Sequence, residues 1–162
     1  GLTGEFFFYP CYGGTPDSIS LAKALASGIP MGALLVKDDV AAHISYGDLG
    51  TTFGAGPVAS AALLATIETI EKHNILDNVK QQSHYLRERL QGINHVVSTH
   101  GLGLLVGIEF DREASIFRDY LLENHIMTGT SSVPNVLRLL PPLTLQKAEI
   151  DQFLEVLAAF PG

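Results

Sequence analysis

A chain of 162 residues suits one ordinary domain and is long enough to bury a core, and its apolar content of 46% is near the globular average. Seventeen acidic residues against ten basic ones give a net charge of −7, which argues against nucleic-acid or anionic-membrane partners, since both select for Lys/Arg excess. The single cysteine, Cys11, cannot close an internal disulfide, and no apolar run approaches the roughly 20 residues of a bilayer span, so a reducing, cytoplasmic setting is the simplest expectation.

Gly4 to Tyr12 is rich in aromatic residues and ends at Gly13-Gly14, which predicts a packed segment leading into a turn. Ser18 to Leu21 and Ala33 to Val36 read as buried strands of a larger sheet. Between them lies Lys23, in a stretch punctuated by Gly28, Pro30 and Gly32. A lysine there is either a chemical amine or a snorkelling surface residue at a strand end. Burial would depress its pKa and suit it to attack a carbonyl and hold it as a Schiff base. The spacing alone does not choose.

Lys37-Asp38-Asp39 opens a short helix to about Ser45. Tyr46 to Pro57 holds four glycines and the adjacent Thr51 and Thr52, and Pro57 suits the first turn of the next helix. Hydroxyls and free N–H groups ahead of a helix can bind phosphate, although an ordinary Gly/Thr loop has the same composition. That helix runs to about His73 with Leu63, Leu64, Ile67 and Ile70 on one face. A second follows from Ile75 to Gln91 with Val79, Leu86 and Leu90 as its stripe, and Gly92 suits its C-terminal cap. The pair crosses from one domain to another or bends sharply at His73-Asn74.

His95 to Thr99 and Leu104 to Phe110 predict an antiparallel pair joined through Gly101-Leu102-Gly103. Arg112 to Asn124 is amphipathic, with Phe117, Tyr120 and Leu121 inward. Ile126 to Thr128 and Val136 to Leu140 are short strands, and Pro141-Pro142 stops the second. A last helix over Lys147 to Ala159 buries Ile150, Phe153, Leu154 and Leu157. Arg138, among apolar neighbours, needs either a carboxylate partner or a water-facing side. The six histidines show no metal-ligand spacing and read as surface or capping residues, and no Gly-x-Ser-x-Gly elbow is present.

Several blocks occur in an informative order. Gly4-Glu5-Phe6-Phe7, Thr15-Pro16-Asp17 and Leu21-Ala22-Lys23-Ala24-Leu25-Ala26-Ser27-Gly28-Ile29-Pro30-Met31-Gly32 come first. Gly50-Thr51-Thr52-Phe53-Gly54, Gly101-Leu102-Gly103-Leu104 and Leu137-Arg138-Leu139-Leu140-Pro141-Pro142-Leu143 follow. Together they resemble class III (ornithine/acetylornithine-type) aminotransferases over nearly the whole chain. The resemblance implies an α/β fold, the C-terminal part of a fold-type I pyridoxal-phosphate-dependent transferase. Residues 1–73 would be the end of the large cofactor domain and 74–162 the small C-terminal α/β domain.

The resemblance also assigns roles. Lys23 would bind pyridoxal 5'-phosphate and shuttle the substrate proton. Thr52, with Thr51, would contact the cofactor phosphate of the neighbouring subunit, placing a shared active site at a homodimer interface. Arg138 would handle a carboxylate, of the substrate or of a gating glutamate. The implied reaction moves an amino group from an acetylornithine-like ω-amino substrate to 2-oxoglutarate, as in arginine biosynthesis.

In the family, the aspartate that pairs the pyridine nitrogen, the glycine-rich phosphate loop and the ring-covering aromatic residue lie upstream of Gly1. The chain is therefore expected to be the C-terminal part of a longer enzyme and inactive alone. A non-catalytic, dimerising module and a decarboxylase or aminomutase relative are the alternatives. The pattern departs from the family at three places. Leu49 stands where a histidine is common, Gly54-Ala55-Gly56-Pro57 replaces Gly-Gly-Asn-Pro, and His100 replaces an arginine before Gly101. Gly101-Leu102-Gly103 is accordingly read as a structural turn.

Overall fold

Asn74 takes a left-handed backbone (φ 49°, ψ 40°) between two sixteen-residue helices, and the chain divides there. The computed structural model describes residues 1–162. Phe7–His73 forms one compact unit; Gly1–Phe6 and Asn74–Gly162 form the other.

In the Phe7–His73 unit, strands β1 (Ser18–Leu21) and β2 (Ala33–Val36) pair antiparallel from Ser18↔Val36 to Leu21↔Ala33. A 3-10 turn over Lys23–Ala26 follows β1. Helix α1 (Asp38–Ala41) is a single turn, shorter than the expected run to Ser45, and α2 spans Pro57–Lys72. Ala26 is the buried apolar residue of this unit. The Ser27 and Thr66 hydroxyls share a 3.0 Å hydrogen bond that ties the 3-10 turn to α2.

Two expectations are corrected in this unit. The strands are not buried: Leu34 and Leu35 are 56% and 45% exposed, because two four-residue strands form a ribbon with no further strand on either side. The aromatic segment is packed only in part, with Phe7 and Tyr9 half-buried and stacked at 6.0 Å. Phe8 and Tyr12 meet edge to face at 4.9 Å, and both remain exposed. No residue of α2 is fully buried, although Leu63 and Ile70 are half-covered.

The other unit is built on alternation. In β4 (Val106–Phe110), Val106, Ile108 and Phe110 are buried while Gly107 and Glu109 are half-exposed, the period-two pattern of a sheet with one face on a core. β3 (Val96–His100), β4, β6 (Val136–Leu139) and β5 (Gly129–Thr130) form an antiparallel sheet in the order β3-β4-β6-β5. A bulge at Val97 shifts the β3 register. Helices α3 (Ile75–Leu90), α4 (Ala114–Glu123) and α5 (Lys147–Ala158) supply the rest of the core: Leu86 and Leu90, then Phe117 and Leu121, then Ile150, Phe153, Leu154 and Leu157.

The strand expected over Ile126–Thr128 lies instead at Gly129–Thr130. It is paired to β6 through Gly129↔Arg138 and Thr130↔Leu137. Backbone pairing fixes it, where an apolar triplet suggested the segment before it. Leu2 accepts a 2.9 Å hydrogen bond from the Leu104 N–H, and Glu5 pairs with Lys80 at 2.8 Å, so the first six residues pack with this unit. Gly103 (φ +54°) is required there: a side chain would run into the backbone of Leu2 and Thr3. Asn78 donates to the carbonyls of Leu143 (2.9 Å) and Leu145 (3.1 Å), fastening the segment after Pro142 to α3.

Candidate functional site

Lys23 opens the 3-10 turn in the left-handed region (φ 61°), a conformation that a residue with a Cβ seldom adopts. Such outliers cluster at functional sites, where the surrounding structure holds them in place. Its side chain is exposed, and its amine makes no hydrogen bond or ion pair within the chain. Of the two alternatives that the spacing leaves open for this lysine, its side chain takes the water-facing one, since β1 and β2 are themselves half-open.

Thr51 and Thr52 lie in the same unit, in the loop that feeds α2. Their hydroxyls are uncommitted, and the Thr51 carbonyl accepts the Gly54 N–H at 3.2 Å to close a turn. Ala55 is left-handed (φ 54°), Gly56 is the N-cap, and Pro57 begins a helix whose N-terminus no side chain caps. Free N–H groups, a helix dipole and two free hydroxyls suit an anion such as a phosphate. No hydrogen bond joins Lys23 to either threonine.

Arg138 sits in the other unit. It is exposed, on the sheet face opposite the core, and it has no hydrogen-bond or ion-pair partner in the chain. It lines a cleft of about 610 Å³ with His125, Thr128, Leu140, Pro141 and Phe153 among others. Of the two alternatives that the sequence leaves open, the water-facing side holds.

The same sheet face carries a network not foreseen from the sequence. The Glu109 carboxylate accepts from the Ser98 hydroxyl at 2.7 Å and from Asn135 Nδ2 at 3.3 Å, and it lies 3.0 Å from His100 Nε2. The Ser98 hydrogen bond, then the His100 contact, holds the Glu109 carboxyl below the usual carboxylate range. Both Ser98 and Glu109 meet the same ring nitrogen of His100. A hydrolytic triad uses both nitrogens of its histidine, so these three residues do not form one.

His95, read as a surface or capping residue, has a side chain only 17% exposed. It pairs with Asp111 at 3.0 Å and lies against Phe117 and Phe160. The His95 hydrogen bond lowers the Asp111 pKa. The alternation of β4 is the signal that puts Glu109 on the open face. The bulge that brings Ser98 opposite it leaves no mark in the sequence.

Solved structures share this fold. An ornithine aminotransferase from Plasmodium yoelii superposes with a TM-score of 0.85 at 28% identity, covering 98% of this chain and 44% of that one. An acetylornithine aminotransferase from Elizabethkingia anophelis superposes with a TM-score of 0.86 at 22% identity, covering 97% of this chain and 43% of that one. The fold is that of the C-terminal part of a fold-type I pyridoxal-phosphate-dependent transferase, an α/β architecture.

The particular family follows from sequence. The class-III aminotransferase family model matches residues 1–160, and the chain belongs to that family. An acetylornithine aminotransferase from Methanocaldococcus jannaschii and a mitochondrial acetylornithine aminotransferase from Alnus glutinosa are 39% and 38% identical to it over 162 and 161 residues. Each alignment covers 97% of this chain but only 40% and 36% of the respective relative, so the chain spans about two fifths of their length.

Proposed function

We propose that the complete protein is a pyridoxal 5'-phosphate-dependent aminotransferase that moves an amino group from an acetylornithine-like ω-amino substrate to 2-oxoglutarate. The observation that carries the reading is Lys23: an uncommitted primary amine on a left-handed backbone, within the block that resembles the family's cofactor-lysine segment. The residues present fit the cofactor, Lys23 in one subunit and the two threonines toward the cofactor of its neighbour. Lys23 Nζ is free to hold the aldehyde end, and the uncapped N-terminus of α2 with the Thr51 and Thr52 hydroxyls is free to hold a phosphate. When bound, the cofactor supplies an electron sink for the charge left on the substrate carbon.

The chain's own residues do the rest. Lys23 Nζ would take the proton from the substrate carbon as a general base and, as a general acid, deliver it to the carbon on the far side of the substrate nitrogen. Arg138 binds a substrate carboxylate, for which a planar guanidinium with paired donors is suited. Thr52, with Thr51, serves the cofactor of the neighbouring subunit in a homodimer. Within these 162 residues Lys23 stays in contact with water. Closing the site requires further residues, and the chain alone is inactive on this reading.

The test is glutamate formation by the complete protein from 2-oxoglutarate and a panel of amino donors. Glutamate is expected with N-acetylornithine or a related ω-amine, and Arg138→Ala should raise KM for the carboxylate substrates. No glutamate from any donor would overturn the reading.

A further inference from the structure

Arg138 lies between two glycines. Gly107 of β4 and Gly129 of β5 are its in-register partners on the two neighbouring strands. Neither glycine has a positive φ, so backbone freedom does not account for them, and glycine inside a strand weakens it. At Gly129 the space beyond a methyl is taken by Arg138. A Cβ at Gly129 would lie 3.6 Å from both Nε and Nη2 of Arg138, so the guanidinium rests over bare backbone. Gly107 answers to other neighbours: a Cβ there would stand 3.2 Å from Val136 Cγ1 and 3.7 Å from His100 Cβ, with no atom of Arg138 in reach.

The charges around the cleft point the same way. Glu149 also lines it, but its carboxylate accepts the Gln146 N–H at 2.7 Å at the start of α5. Arg138 is left as the cation without a partner.

We propose that Gly129 is a positioning residue for Arg138. Gly129 leaves a bare strip of backbone on which the guanidinium lies in one orientation, ready for bidentate contact with a substrate carboxylate. The inference rests on the reading of Arg138 as the carboxylate anchor.

A methyl at 129 makes ordinary contact with the guanidinium, whereas a branched side chain pushes it aside. The displaced atoms are the tip of a flexible side chain, and valine favours strands, so folding should not suffer.

The experiment uses the complete, cofactor-loaded protein and measures glutarate binding by calorimetry beside the thermal midpoint. Gly129→Val is expected to lose about tenfold or more in glutarate affinity, in line with loss of a charge-assisted contact. Its midpoint should be undiminished, and KM for 2-oxoglutarate should rise while kcat holds. Gly129→Ala should retain most of the affinity. Arg138→Ala separates the two claims. If it binds glutarate as wild type does, the anchor reading fails and the inference falls with it. If Arg138→Ala weakens binding and Gly129→Val does not, the positioning role alone is overturned. Equal loss in Gly129→Ala and Gly129→Val with a lowered midpoint would make the glycine a folding requirement, and would overturn the role as well.

Discussion

Glu109 gathers Ser98 and His100 from β3 and Asn135 from the turn before β6 onto one carboxylate. Hydrogen bonds from Ser98, and next His100, favour its charged form and lower its pKa in the folded state. A group whose folded pKa is depressed adds stability that is complete above its unfolded pKa and is lost as pH falls through the folded value. The difference in thermal midpoint between the wild type and Glu109→Gln should therefore be widest near neutrality and close as the pH drops below the ordinary carboxylate range. A difference that persists unchanged into acid would contradict this account of the network. Asp111, lowered chiefly by its hydrogen bond with His95, acts with the same sign, so Glu109→Gln should still lose some stability in acid. At this scale the sequence was partly legible: Lys23 and Arg138 stood out as charges in apolar company, whereas the network depends on a bulge that composition does not encode.

Among the elements, α4 is held to the sheet by aromatic stacking. The Phe117 ring lies on Phe110 with centroids 3.8 Å apart and against Phe160 at 4.5 Å, and Phe117 is fully buried. Phe117→Ala should cost about 3–5 kcal/mol, the range for deleting a buried aromatic ring, in denaturant unfolding. A loss under about 1 kcal/mol would mean that the site collapses to fill the space. The helices were legible because period-3.6 stripes such as Val79, Leu86 and Leu90, or Ile150, Phe153, Leu154 and Leu157, select one face. β5 was not, because Gly129-Thr130 has neither length nor alternation and exists through its pairing with β6. Burial of β1 and β2 was misjudged for a related reason. A short apolar run signals a strand, but what covers it is a tertiary matter.

Across the whole chain, one unit ends at His73 and the other takes over at left-handed Asn74. The sequence marks the division by its two successive amphipathic helices. The return of Gly1–Phe6 to the second unit is tertiary information, carried by the Leu104–Leu2 hydrogen bond and the Lys80–Glu5 pair. The family assignment rests on the match over residues 1–160, and the chemistry is proposed to centre on Lys23. The most direct measurement of that claim is borohydride reduction of the complete protein with pyridoxal 5'-phosphate, followed by peptide mass mapping. The account predicts one reduced adduct, on Lys23, that disappears in Lys23→Ala. An adduct spread over several lysines, or one retained after Lys23→Ala, would contradict it.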